Sequence, residues 1–366
     1  MVYLLAIFIT VYAVLILQLI RGWYRLQSVR QHGDTERFLS VVVAFRNESR
    51  NIGLLLDDLK KQQYQPYEIL LVDDHSGDDS VEIARSYSRG DSRIRVLTNE
   101  GNGKKQALAT GIRQAIGEII VTTDADCRVG NLWLVQIANA FQDGQVMMTS
   151  GAVVIQEDQS FFSHLQAIEF ASLIGSGAAL IGLKKPTMCN GANLAFRKQA
   201  FDHVGGYSDN LQIASGDDEF LMRKILAVYK NSIRFIKSSE AIVTTTASPS
   251  TESFFQQRFR WAGKWRHNSS GQTRILAVFI FLFQVMLLVA LGLVIFSEGR
   301  MALVALAVLL TRMILEFCFL EPVCRFLNVH WRWSAFLFLQ LAYPFYVVFT
   351  GLFSNLTTIT WKGRKI

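Results

Sequence analysis

The sequence predicts an α/β protein built on a mostly parallel sheet, with helices apolar enough to cross a membrane on both sides of it. Two observations carry that prediction. Between residues 38 and 239 short apolar runs alternate with segments of helical spacing, the pattern of strands joined by crossover helices. Outside that stretch lie apolar runs at residues 1–20, 275–296, 301–320 and 334–353, each about the length that spans a bilayer. A third observation marks a place in the fold. The triplet Asp124-Ala-Asp126 follows directly on the strand-like run Gly117-Glu-Ile-Ile-Val-Thr-Thr123, and open α/β sheets bind their ligands outside the carboxyl ends of their strands.

The elements follow in order. Phe38-Leu-Ser-Val-Val-Val-Ala44 reads as a buried strand, and residues 51–63 as a helix with Ile52, Leu55, Leu56 and Leu59 on one face. Glu68-Ile-Leu-Leu-Val72 is the next strand, followed by a helix over 80–89, a strand at 94–97, a helix over 104–116 and the strand before Asp124. The alternation predicts right-handed crossovers. Residues 161–183 are apolar, with His164, Gln166 and Glu169 as sparse polar positions and many small residues. Their interruptions fit an interfacial amphipathic helix or a buried core helix.

Composition agrees with a membrane protein. The chain has 366 residues, 51% of them hydrophobic and 18% charged, and its mean hydropathy is +0.25, too apolar for a wholly soluble protein of this size. The net charge of +7 points to lipid headgroups and anionic substrates. No aromatic or Arg-rich motif supports a nucleic-acid partner. Cys127, Cys189, Cys318 and Cys324 lack paired spacing and read as free thiols in a reducing compartment.

Arg21, Arg25 and Arg30 follow the first apolar run, the reverse of a signal peptide. The expectation is a retained transmembrane helix at 1–22 with its end in the cytoplasm, a cytoplasmic domain at 36–265, a C-terminal membrane region at 274–355 with two or three helices, and a basic tail at 356–366. The membrane expected is a bacterial inner membrane. If all four runs spanned, the tail's positive charges would lie outside, so the last run, interrupted by Pro344, is expected to be re-entrant or interfacial. Arg312 and Glu316 lie one helical turn apart and can pair.

Several motifs carry chemistry. Asp124-Ala-Asp126 is a compact hard-oxygen pair able to hold Mg²⁺ or Mn²⁺ while leaving positions for phosphate oxygens; alone, it also fits an acidic surface turn. Asp73-Asp74-His-Ser-Gly-Asp78-Asp79 offers a carboxylate to a nucleobase N–H, or an Asx turn with a helix cap. Gly101-Asn-Gly103-Lys104-Lys105 suits phosphate at a helix start, or is a solvated loop. It has neither the Walker nor the dinucleotide-binding spacing. Ser215-Gly-Asp217-Asp218-Glu219 contains a candidate general base, or acidic first-turn residues favoured by the helix dipole. Gln257-Arg-Phe-Arg260-Trp261 brings a guanidinium for a diphosphate and a ring face for a sugar, or interfacial anchors.

As an ordered set, these motifs together with Val43-Ala-Phe-Arg-Asn-Glu48, Gly103-Lys104-x-x-Ala107-Leu108 and Asn190-Gly-Ala-Asn193 with Phe196-Arg197 resemble the membrane-integrated family 2 glycosyltransferases, the group of cellulose, chitin and hyaluronan synthases and ceramide glucosyltransferase. The resemblance covers residues 38–261. It implies a GT-A-type, Rossmann-like nucleotide-diphospho-sugar transferase domain, a divalent metal (Mg²⁺ or Mn²⁺), and inversion at the anomeric carbon. It further implies Glu48 and Asp74 at the uridine edge, Lys104 near the nucleotide, Asp124 on the nucleotide side, Asp126 as metal ligand and Asp218 as general base. Gln257, Arg260 and Trp261 would close over the diphosphate and the acceptor end.

The chain departs from the family pattern in three ways. The first strand ends Ala-Phe-Arg-Asn-Glu where many relatives have Pro-x-x-Asn-Glu. The acidic pair is Asp-Asp rather than Glu-Asp, and Glu219 beside it leaves the base open between neighbours. The membrane set is smaller than in secreting polymer synthases, which favours a single transfer to a lipid-embedded acceptor. The implied function is transfer from a UDP-linked sugar donor to a hydroxyl of a lipid or growing glycan at the cytoplasmic membrane face. A non-catalytic membrane scaffold with a transferase-like domain, or a sugar nucleotidyltransferase, are the rival readings. The second would need a Gly-rich loop where this chain has Arg46-Asn-Glu48.

Overall fold

A computed structural model describes residues 1–29, 37–208, 216–263 and 271–354, with the backbone of 360–361 and 364–365. Arg30, Ser215 and most of the basic tail therefore lie outside the described residues. The chain divides into two compact units, one of residues 25–156 and 180–246, the other of residues 1–24, 157–179 and 247–366.

After the N-terminal helix α1 (Val2–Arg25), the first of these units alternates as the sequence predicts: β1 (Leu39–Phe45), α2 (Ile52–Lys60), β2 (Tyr67–Asp73), α3 (Ser80–Gly90), β3 (Ile94–Thr98), α4 (Lys104–Gln114) and β4 (Ile119–Thr122). Short elements follow: β5 (Arg128–Val129), α5 (Trp133–Ala140), β6 (Met148–Gly151) and β7 (Val153–Gln156). Beyond helix α6 (Phe161–Gly182) the unit adds β8 (Leu194–Arg197), α7 (Lys198–His203), α8 (Asp217–Val228), β9 (Ile233–Ile236) and β10 (Val243–Thr246).

Seven strands form one sheet in the order β3-β2-β1-β4-β8-β6-β9. β1 pairs parallel with β2 and β4, β2 with β3, and β6 with β9, whereas β8 runs antiparallel to both its neighbours. The sheet is thus mostly parallel, with one reversed strand that the sequence did not signal. β5, β10 and β7 form a second, three-stranded sheet. The chain steps outward from β1 to β3 and then returns to β4 on the other side of β1, so the strand order reverses between β1 and β4. That reversal is where open α/β sheets form their binding crevice. Every residue of β2 and β4 is buried, which explains their unbroken apolar runs.

The second unit is helical. It holds α1, the greater part of α6, α9 (Thr251–Gly263), α10 (Gly271–Phe296), α11 (Gly299–Leu327) and α12 (Trp333–Phe353). Among the described residues five helices, all of these except α9, are long and apolar enough to cross a membrane by length and composition. α12 runs unbroken through Pro344. α6 is one continuous helix despite its glycines, and its apolar positions are spread around it rather than gathered on one face. A Cβ on Gly175 would lie 2.8 Å from Val323 Cγ2, so this glycine permits α6 and α11 to touch.

The predicted Arg312–Glu316 pair forms within α11. Arg312 Nε donates to Glu316 Oε1 (2.8 Å) and its Nη1 to the Gln340 carbonyl of α12 (2.9 Å), while Tyr12 of α1 donates to Glu316 Oε1 (2.5 Å). One ion pair therefore ties three apolar helices. None of the cysteines Cys127, Cys189, Cys318 and Cys324 is in a disulfide.

Candidate active site

The loops after β1, β2 and β3 lock together at the carboxyl edge of the sheet. Asn47 and His75 both adopt left-handed backbone, with φ of 52° and 59°, a conformation that Asn and His visit more readily than most residues. Asn47 Oδ1 accepts from the Gly77 N–H (2.8 Å), and Arg46 Nη1 donates to the carbonyls of Asp74 and His75 (2.6 Å each). The buried Glu48 backbone N–H donates to Ser80 Oγ (2.7 Å), and its Oε2 accepts from Asn51 Nδ2 (2.8 Å). Asp78 takes bonds from Ser49 and Ser80. Slight burial opposes its charge, but those bonds prevail and hold its carboxyl down to about 2.

Asp74, 2% exposed, organises the glycine loop. Its Oδ1 accepts from Asn99 Nδ2 (2.7 Å) and from the Gly103 N–H (2.8 Å), fixing Gly103 at φ 93°, where a side chain would be strained. α4 starts at the next residue. Its two lysines then part: Lys105 is buried with Nζ 5.0 Å from the centre of the Phe220 ring, whereas Lys104 points to carboxylates.

Lys104 Nζ donates to Asp124 Oδ1 at 2.6 Å and lies 3.8 Å from Asp217 Oδ2. Burial works against its charge, but Asp124, Asp217 and Asp218 outweigh it and hold the ammonium well above the usual lysine range. In the triplet after β4, Ala125 is buried while Asp124 and Asp126 are partly exposed, so both carboxylates face outward and the methyl group anchors the turn. Burial, then the charges of Asp124 and Asp126, push the Cys127 thiol well above its ordinary value, which leaves it protonated and unreactive.

Asp218 opens α8 beside Asp217. Its Oδ2 accepts from the Gly191 N–H (3.0 Å) and its Oδ1 from the Glu219 N–H (2.7 Å), so two backbone donors set the carboxylate plane. Thr122 Oγ1 at the end of β4 donates to the Gly191 carbonyl (2.9 Å). A Cβ on Gly191 would stand 3.2 Å from Asp217 Oδ2, a close approach that favours glycine. Burial and then the charges of Asp217 and Asp218 drive the Tyr207 hydroxyl well above the tyrosine range. In the same motif Asn193 is a staple: its Oδ1 accepts from Trp133 Nε1 (3.0 Å), and its Nδ2 donates to the carbonyls of Ala152 (2.8 Å) and Ala241 (2.7 Å).

The α/β unit therefore gathers Lys104, Asp124 and the Asp217–Asp218 pair, with Asp126 on the same turn and Asp74 holding the Lys104 loop. Sequence reasoning missed three contributors, Asn99, Asp217 as a partner of Lys104, and the Gly191 N–H. The signal for the last was the glycine inside Asn190-Gly-Ala-Asn193. Gln257, Arg260 and Trp261 lie on α9 in the helical unit. There the buried Arg258 donates to Gln257 Oε1 (2.5 Å), stands 4.3 Å from the centre of the Trp261 ring, and pairs with Glu169 of α6.

Among the described residues no three His, Cys, Asp or Glu side chains form a self-sufficient metal cluster. What Asp124 and Asp126 offer is a hard-oxygen donor set of one or two carboxylates. That set fits Mg²⁺ or Mn²⁺, which complete their shells with substrate oxygens and water.

Residues 40–205 match the glycosyl transferase family 2 model. Glycosyltransferase AglE of Haloferax volcanii is 28% identical over 54% of this chain. Poly-beta-1,6-N-acetyl-D-glucosamine synthase of Staphylococcus aureus is 27% identical over 61% of it. The chain spans 64% and 53% of those relatives' own lengths. Among solved structures, the mannosyltransferase PcManGT from Pyrobaculum calidifontis, in complex with GDP-Man and Mn²⁺, superposes with a TM-score of 0.58 over 97% of this chain and 99% of that one, at 18% identity. The fold is that of the GT-A glycosyltransferases.

Proposed function

We propose that the protein is an inverting glycosyltransferase of membranes, moving a sugar from a nucleotide-diphospho-sugar to a hydroxyl of a lipid or growing glycan at the cytoplasmic face. The observation that carries this reading is the Asp124-Ala-Asp126 turn at the strand-order reversal, paired through Lys104 to Asp217 beside Asp218. A divalent cation would be held at Asp126, where it would supply positive charge against the departing diphosphate. Lys104 would add its ammonium to the same charge. Asp218, oriented by the Gly191 and Glu219 N–H groups, would take the proton from the acceptor hydroxyl as that oxygen attacks the anomeric carbon.

Glu48 and Asp74 are proposed at the nucleobase edge, with uridine the base expected. For Asp74 the buried bonds to Asn99 and Gly103 add a loop-holding part to that role. Gln257, Arg260 and Trp261 are proposed as substrate-binding residues on their chemistry and the family resemblance. The test is nucleotide release by the full-length protein in lipid, supplied with Mg²⁺ or Mn²⁺ and a panel of UDP- and GDP-linked sugars. One donor is expected to turn over only with metal and an acceptor present. Release from none of them would overturn the reading.

A further inference from the structure

The Lys104 ammonium occupies the carboxylates that a cation would approach. Its Nζ is 2.6 Å from Asp124 Oδ1 and 3.8 Å from Asp217 Oδ2, with the side chain 24% exposed. We infer that Lys104 is the resident counter-cation of this site, and that it makes divalent-metal binding conditional on the nucleoside diphosphate. The inference rests on the reading of Asp124-Ala-Asp126 as the metal and diphosphate turn.

The argument is electrostatic. A divalent cation at the turn and an ammonium on Asp124 repel at short range, and a partly buried site screens that repulsion less than bulk water does. Metal arriving alone must expel Lys104 from its carboxylate partners with no other anion at hand. A diphosphate changes this, because its oxygens accept both the metal and the displaced ammonium. The loop is built for such an exchange. Asp74 and Asn99 pin the backbone up to Gly103, while the lysine stem beyond it is a flexible four-carbon arm. Metal and diphosphate should therefore each raise the other's affinity, a coupling that is reciprocal by linkage.

The experiment is Mn²⁺ binding to the full-length protein in detergent, read by the electron paramagnetic resonance of free Mn²⁺, with and without UDP or GDP. Wild type should bind Mn²⁺ weakly alone and about tenfold or more tighter with the right diphosphate. Lys104→Gln and Lys104→Met should bind Mn²⁺ alone about tenfold tighter than wild type and lose most of the diphosphate's enhancement. Lys104→Arg should keep the wild-type pattern. The inference is overturned if wild type binds Mn²⁺ equally well with and without diphosphate. It is also overturned if the neutral variants, still able to bind metal with diphosphate, show unchanged or weaker binding of Mn²⁺ alone. Failure of the underlying site reading looks different: no Mn²⁺ binding under any condition, or binding indifferent to Asp126→Ala.

Discussion

Asp218 and Lys104 show how residue-scale roles follow from partners rather than from residue type. Both lie in acidic surroundings, yet Asp218 is oriented by backbone donors and Lys104 is held by side-chain charge. Asp78 illustrates a carboxylate with a purely local task. Its folded-state pKa falls from 3.8 to about 2 through bonds from Ser80 and Ser49, so the stability it adds is present above about pH 4 and is lost as pH falls toward 2. Solvent screening keeps that contribution below about 1 kcal/mol. Thermal melts from pH 5 to pH 3 should show wild type losing slightly more stability than Asp78→Asn. Equal loss in both would remove Asp78 from the account. At this scale the sequence revealed the charged residues but not their pairing. Asp217 was visible as an acid, but the 92 residues between Asp124 and Asp217 hid their common lysine.

At the scale of elements, α4 positions the site because it lies hard against the sheet. A Cβ on Gly111 would meet Val42 Cγ1 at 2.5 Å and Val72 Cγ2 at 2.9 Å. Gly111→Ala is therefore expected to cost about 1–3 kcal/mol through overpacking and to weaken diphosphate binding, since the helix that shifts begins with Lys104. A melting temperature and diphosphate affinity equal to wild type would contradict this. The strands β1, β2 and β4 were legible through the unbroken apolar runs at 41–45, 69–72 and 119–121, and β3 through its place in the strand–helix alternation. β5 through β10 were not: they run two to four residues, too short for a period to show. α6 misled for another reason. Its glycines read as interruptions, whereas Gly175 at least is a packing position against Val323 and Phe319.

At the scale of the whole molecule, the sequence made two regimes plain, an alternating α/β stretch and long apolar helices. The helical unit is held partly by charge. Arg312, 2% exposed, joins α1, α11 and α12 through Glu316 and Gln340. Breaking such a pair leaves an uncompensated buried charge, whereas removing both partners need not. Arg312→Met and Glu316→Gln should each lower stability in detergent by about 3–5 kcal/mol, and the double variant by less than their sum. Additive losses would show that the pair contributes nothing as a pair.

The most direct test of the central claim separates chemistry from binding at one residue. Asp218→Asn in the full-length protein should retain nucleotide-diphosphate affinity within a few-fold of wild type, while sugar transfer falls by at least about 10²-fold. Transfer near the wild-type rate in that variant, with donor binding intact, would contradict the account.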